Sequence, residues 1–83
     1  MSATPATILI AEDEPLVRTS MSLVLAEAGY STRLAEDGLS ALCQIRREMP
    51  EILLSDLNMP GMSGSELLLL VRQRFPAVQT IAR

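Results

Sequence analysis

Two short runs, Ile8-Leu9-Ile10 and Ile52-Leu53-Leu54, are apolar at every position, and each breaks off into a carboxylate two residues later. A strand with one wet face alternates between apolar and polar residues. A strand that is apolar throughout must be covered on both faces, as in a parallel sheet held between helices. The segments between these runs suit that arrangement. Pro15 fits the start of a helix, where its missing N–H costs nothing. Val17, Met21, Val24, Leu25 and Ala28 follow at helical spacing, and Gly29 stops the helix. Residues 30–35 alternate as a more polar strand suited to a sheet edge.

Glu36-Asp37-Gly38 makes a turn, and a second helix should place Leu39, Leu42, Ile45 and Met49 on its inner side before Pro50. After the second apolar run, Leu57–Gly64 is rich in turn residues. Ser63-x-x-Glu66 then forms a capping box, because hydroxyl and carboxylate can each satisfy a free backbone N–H. Leu67, Leu68, Val71 and Phe75 make the apolar stripe of a third helix, which Pro76 ends, and residues 77–82 begin a fourth strand. Strict alternation of strands and helices with short loops implies right-handed crossovers, hence a doubly wound parallel α/β sheet.

Composition narrows the function classes. At 83 residues the chain has room for one small domain, spanning 1–83. One Tyr and one Phe cannot make a base-stacking platform, and a net charge of −3 argues against a direct nucleic-acid surface. With no His and one Cys, neither a structural zinc site nor an internal disulfide is available. Cys43, among apolar neighbours, reads as a reduced, buried thiol. Met21 and Met49 read as core residues. No apolar run approaches the roughly 20 residues of a membrane span. The N-terminal Met1-Ser-Ala-Thr-Pro lacks the basic start and apolar core of a signal peptide. The expectation is a soluble, cytoplasmic protein with no membrane contact.

The acids carry the chemistry. In open parallel sheets, sites lie beyond the carboxyl ends of the strands. The first strand ends at Glu12-Asp13 and the third at Asp56, so if these strands are neighbours, three carboxylates converge. Clustered anions repel unless a cation neutralises them or one takes a proton. An all-oxygen set favours a hard ion, Mg²⁺ before zinc or copper. A carboxylate beside Mg²⁺ can also attack phosphorus. The plain alternative is a set of solvated loop acids, and the residues alone leave both open. Glu14 is placed to start the first helix.

The segment Ile52-Leu-Leu-Ser-Asp56-Leu-Asn-Met-Pro60-Gly-Met-Ser-Gly64 closely resembles the phosphoacceptor strand and loop of response-regulator receiver domains of two-component signalling. Ile8-Leu-Ile-Ala-Glu12-Asp13-Glu14-Pro15 is similar to that family's acidic first-strand end, and Ala35-Glu-Asp-Gly38 to its turn into the second helix, which implies that Asp37 caps that helix. The resemblance runs from about residue 7 onward and implies a CheY-like, flavodoxin-like fold in strand order 2-1-3-4. It implies that Asp56 accepts phosphoryl from a sensor histidine kinase or phosphotransfer protein. It further implies that Asp13 binds Mg²⁺ directly, Glu12 through water, and Asn58 through its backbone carbonyl. Met59 and Pro60 would shape the loop, with Gly61 and Gly64 allowing its tight path.

One departure matters. Complete receivers continue to a Ser or Thr after the fourth strand, and to a Lys after the fifth. The residue matching that Ser or Thr would follow Arg83, and the chain has no Lys. The expectation is therefore the N-terminal two-thirds of a receiver, lacking the last helix-strand-helix, about 35–45 residues. A deliberately short chain, proteolysis and gene truncation all remain open. Such a piece would not switch an output, and its open fourth-strand edge should self-associate through residues 77–82. Beyond modifying itself it would not act as an enzyme. A receiver-like interaction module that is never phosphorylated is the competing reading, opposed by the intact set Glu12, Asp13 and Asp56. A Mg²⁺-dependent phosphatase would need a substrate loop and a general acid that no segment supplies.

Overall fold

The computed structural model describes residues 5–83. The signal-peptide reading falls mostly on residues 1–4, which lie outside the described part. The elements, in chain order, are β1 (Thr7–Ala11), α1 (Pro15–Glu27), β2 (Ser31–Ala35), α2 (Gly38–Arg47), β3 (Ile52–Ser55), α3 (Gly64–Arg74) and β4 (Gln79–Ala82). All strand pairs are parallel, and the four-stranded sheet has the order β2-β1-β3-β4. Both expectations hold: the alternation, and the central position of the two wholly apolar strands.

The helix ends show why the boundaries fall where they do. α1 begins with Pro15 after the extended Glu14, as expected. It closes in a Schellman arrangement: Tyr30 N–H donates to the Leu25 carbonyl (3.1 Å) and Gly29 N–H to that of Ala26 (3.0 Å), with Gly29 at φ +101°. That closure takes Tyr30 out of β2, which starts one residue later than the alternation predicts. Asp37 caps α2, accepting from the Ser40 N–H at 2.7 Å. The capping box of α3 is complete, with the Ser63 hydroxyl accepting from Glu66 N–H and the Glu66 carboxylate accepting from Ser63 N–H. β4 starts at Gln79 rather than 77, because Val78 N–H turns back to the Phe75 carbonyl at 3.0 Å.

The two faces of the sheet are covered unequally. α2 and α3 pack on each other and on the sheet, and their Ala41, Ile45, Leu67, Leu68 and Val71 join Leu9, Ala11 and Leu53 in one buried cluster. Alternation along β1 turns Ile8 and Ile10 to the opposite face, where α1 lies. α1 has no fully buried residue: Val17, Met21 and Leu25 are half-buried, while Val24 is 66% exposed and Ala28 is open to solvent. The sequence periodicity located its inner stripe but overstated its burial, since among the described residues α1 has no helix beside it on that face.

In α2 the inner stripe is offset from the expected one. Gly38, Ala41 and Ile45 are buried and Leu42 packs partly on the core, whereas Leu39 is 66% exposed. Ala41 is small and wholly buried, and Gly38 leaves room for the Met62 side chain, which would stand 3.0 Å from a Cβ there; large apolar residues at helical spacing do not mark such positions. Met49, 53% exposed, lies beyond the last turn of α2 and is not a core residue. Cys43 is exposed, not buried. It stands two residues from both Ala41 and Ile45, about 200° around the helix from each, and so on the outer side.

Candidate functional site

The site is built where β1 and β3 end side by side. Their register pairs Ala11 with Ser55, and the ladder runs one step further as Asp56 N–H donates to the Ala11 carbonyl at 3.0 Å. On the other side, Glu12 N–H donates to the Ala35 carbonyl of β2 at 3.1 Å. Both carboxylates are thus held by backbone bonds that prolong the sheet. Carboxylate oxygens of Glu12, Asp13 and Asp56 lie within 4.8 Å of one another, so the strand ends bring together the three acids that the sequence marked. Glu36 and Asp37 are not in this group, Asp37 being committed to the α2 cap.

Glu12 is the unusual member, at 1% exposure. Its Oε2 accepts from the Glu14 N–H at 3.2 Å and its Oε1 from Arg83 Nη1 at 2.7 Å. Burial pushes its carboxyl above the usual carboxylate range; the Glu14 N–H opposes this, and the neighbouring Asp56 charge adds to the rise. Its backbone carbonyl accepts from Arg18 Nη1 at 2.8 Å, which ties α1 to the site. Asp13 and Asp56 are half-buried and reachable from solvent.

Asp56 opens the loop to α3. Its Oδ1 accepts from the Asn58 N–H at 3.1 Å, an Asx-turn that points the chain away from the sheet. Asn58 itself is exposed. Met59 is buried in the core and Met62 packs against it, so the loop is anchored from below. Gly61, at φ +76°, takes the reversal that an L side chain rarely adopts. Gly64 N–H closes the loop on the Leu57 carbonyl at 3.3 Å. A Cβ on Gly64 would collide with the Asp56 carbonyl oxygen and stand 2.6 Å from its carbon and 2.7 Å from Leu57 Cα. The glycine is required here for close approach, as its φ lies outside the left-handed region.

Two cations that the sequence reading passed over complete the picture. Arg18 belongs to none of the motifs, and Arg83 stands in the sequence only as the residue after β4. The signal for Arg83 was present: it follows β4 as Glu12 follows β1 and Asp56 follows β3, and its N–H donates to the Ser55 carbonyl at 2.9 Å.

Residues 8–82 match the family model described as response regulator receiver domain. The chain belongs to this family. It is 32% identical over 93% of its length to the probable transcriptional regulatory protein TcrX of Mycobacterium tuberculosis, of which it spans 33%. The chain therefore covers about a third of that curated relative. Among solved structures, chemotaxis response regulator CheY4 of Vibrio cholerae is 31% identical with a TM-score of 0.89, the match covering 95% of this chain and 68% of that one. TrrA of Thermotoga maritima, crystallised in complex with Mg²⁺-BeF, is 31% identical with a TM-score of 0.90, covering 93% of this chain and 67% of that one. TrrA has also been crystallised in complex with the histidine kinase ThkA. Receiver domains are in general phosphoacceptors rather than enzymes, and they pair with histidine kinases. The acids at this receiver's strand ends form a group that could hold a metal ion, and their hard oxygen donors suit Mg²⁺. Among the described residues, no helix is long and apolar enough to cross a membrane.

The close approach at Gly64 yields a direct test. Gly64→Ala should destabilise the protein by about 2–3 kcal/mol, the scale of overpacking in a closed site, and move the Asp56 peptide. Urea denaturation followed by circular dichroism reads the first effect. An unchanged midpoint would show that the α3 start does not press on Asp56.

Proposed function

We propose that residues 1–83 form a phosphoacceptor receiver of a two-component regulator, in which Asp56 takes a phosphoryl group from a partner's phosphohistidine. The observation that carries the reading is the gathering of Glu12, Asp13 and Asp56 within 4.8 Å at the carboxyl ends of β1 and β3. In the transfer, an Asp56 carboxylate oxygen forms a bond to phosphorus as the phosphorus–nitrogen bond of the donor breaks, and the imidazole regains its proton from water. Asp56 suits this role because its carboxylate is reachable from solvent, while the Asn58 N–H holds Oδ1 and so orients the group. Asp13 would bind the metal directly; Glu12, buried and already hydrogen-bonded, would act through water, and the Asn58 carbonyl would supply a further oxygen. Mg²⁺, when bound, screens the charge on the incoming phosphoryl oxygens.

The partners follow from the same reading: a histidine kinase or phosphotransfer protein, with no direct nucleic-acid contact and a cytoplasmic location. Among the described residues β4 pairs on one side only, with β3, and it carries the half-exposed Ile81. An open edge of this kind recruits a second chain, and we place the contact at residues 77–82.

Three outcomes are expected. Incubation of the intact regulator with acetyl phosphate and Mg²⁺ should label Asp56 alone, and Asp56→Ala should abolish the acid-labile product on a mass spectrum; equal labelling of the variant would overturn the reading. Asp13→Asn should weaken Mg²⁺ binding in a calorimetric titration by about tenfold or more, the loss typical of even an outer-shell partner. Light scattering of the chain at micromolar concentration should show a dimer or larger species, whereas a monomer would sink the proposed edge contact.

A further inference from the structure

The ion pair that closes the acid cluster has its own consequence. Arg83 Nη1 lies 2.7 Å from Glu12 Oε1 and 3.8 Å from Asp56 Oδ2, so one guanidinium touches acids from two strands. It arrives by a fixed route, since its backbone N–H is bonded to the Ser55 carbonyl beside Asp56. Glu12 is buried, and its two carboxylate oxygens are both taken, one by Arg83 and one by the Glu14 N–H. The Arg83 side chain, by contrast, is 48% exposed and has open solvent into which to withdraw.

We propose that Arg83 is a built-in counter-cation of the acid cluster, and that it competes with a divalent ion for the same carboxylates. The inference rests on the reading of this cluster as a Mg²⁺ site. A buried carboxylate beside further acids keeps its charge only with a positive partner. Without metal, the guanidinium supplies it at the cost of ordering one long side chain. A divalent ion entering between Asp13 and Asp56 meets that guanidinium within a few ångströms, and two cations cannot share so small a space without mutual repulsion. Metal entry therefore expels Arg83 from Asp56 and loosens it from Glu12. The competition lowers metal affinity and couples the state of the site to the carboxyl end of β4.

Isothermal titration of the protein with Mg²⁺ tests this. Arg83→Ala should bind Mg²⁺ about two- to fivefold more tightly than the unchanged protein, the scale of a partly exposed ion pair that must otherwise be broken. Arg83→Lys, which keeps the charge, should restore most of the weaker binding. Without metal, Arg83→Ala should melt at a lower temperature than the unchanged protein, and saturating Mg²⁺ should close that gap, because the ion replaces the missing cation. Should the alanine variant not fold, Arg83→Gln takes its place, and NMR of the unchanged protein must still show the Arg83 guanidinium signals moving in step with Mg²⁺ saturation. Equal affinity in the unchanged protein and the alanine variant, with Asp13→Asn still weakening binding, would overturn the role of Arg83 and leave the Mg²⁺ site standing. Absence of Mg²⁺ binding from every variant would overturn both.

Discussion

The backbone bond from Asp56 N–H to the Ala11 carbonyl, 3.0 Å long, is the step on which the site depends. It extends the β1–β3 ladder one residue beyond the strands and brings Asp56 level with Glu12. Parallel pairing is essential here: an antiparallel partner would put the end of one strand beside the start of the other. Two apolar strands that both end in acid therefore form a site only when they run the same way and lie side by side. Ile10 and Leu53 need cover on opposite faces, and that need drives the arrangement.

Convergence of acids creates an electrostatic problem that the surrounding residues manage locally. Glu12 is buried and held by an amide on one oxygen and a guanidinium on the other. Asp56 spends one oxygen on the Asn58 N–H, keeping the other directed toward the cluster and solvent. The loop that carries Asp56 into α3 is pinned by buried Met59 and by Gly64, whose missing side chain lets the helix start lie against the Asp56 carbonyl. Rigid placement around a solvent-accessible carboxylate suits the phosphoacceptor role proposed for Asp56, which needs a narrow geometry.

The sheet and its helices were legible because their signals are local. Pro15, Gly29, Asp37 and the Ser63–Glu66 pair act on backbone groups within a few residues, and each works where the sequence placed it. Burial was less legible, because it depends on what lies across the fold. Leu39, Cys43 and Met49 are apolar by composition yet exposed, while Ala41 is buried in the core and Gly38 is buried under the Met62 side chain. A search for large apolar residues at helical spacing cannot find a stripe built from small ones.

By itself, the sequence determined the order of elements, their caps and the acids at two strand ends, all of which follow from short-range spacing. It also marked Glu12, Asp13 and Asp56 through motif resemblance. Only the tertiary structure decided that the carboxylates stand within 4.8 Å of one another, because that distance depends on β1 and β3 being neighbours in register. It alone placed Arg83 among them, across a separation of 71 residues from Glu12. No local pattern ties a residue after the fourth strand to one after the first; the link exists because parallel strands collect their carboxyl ends on one edge of the sheet.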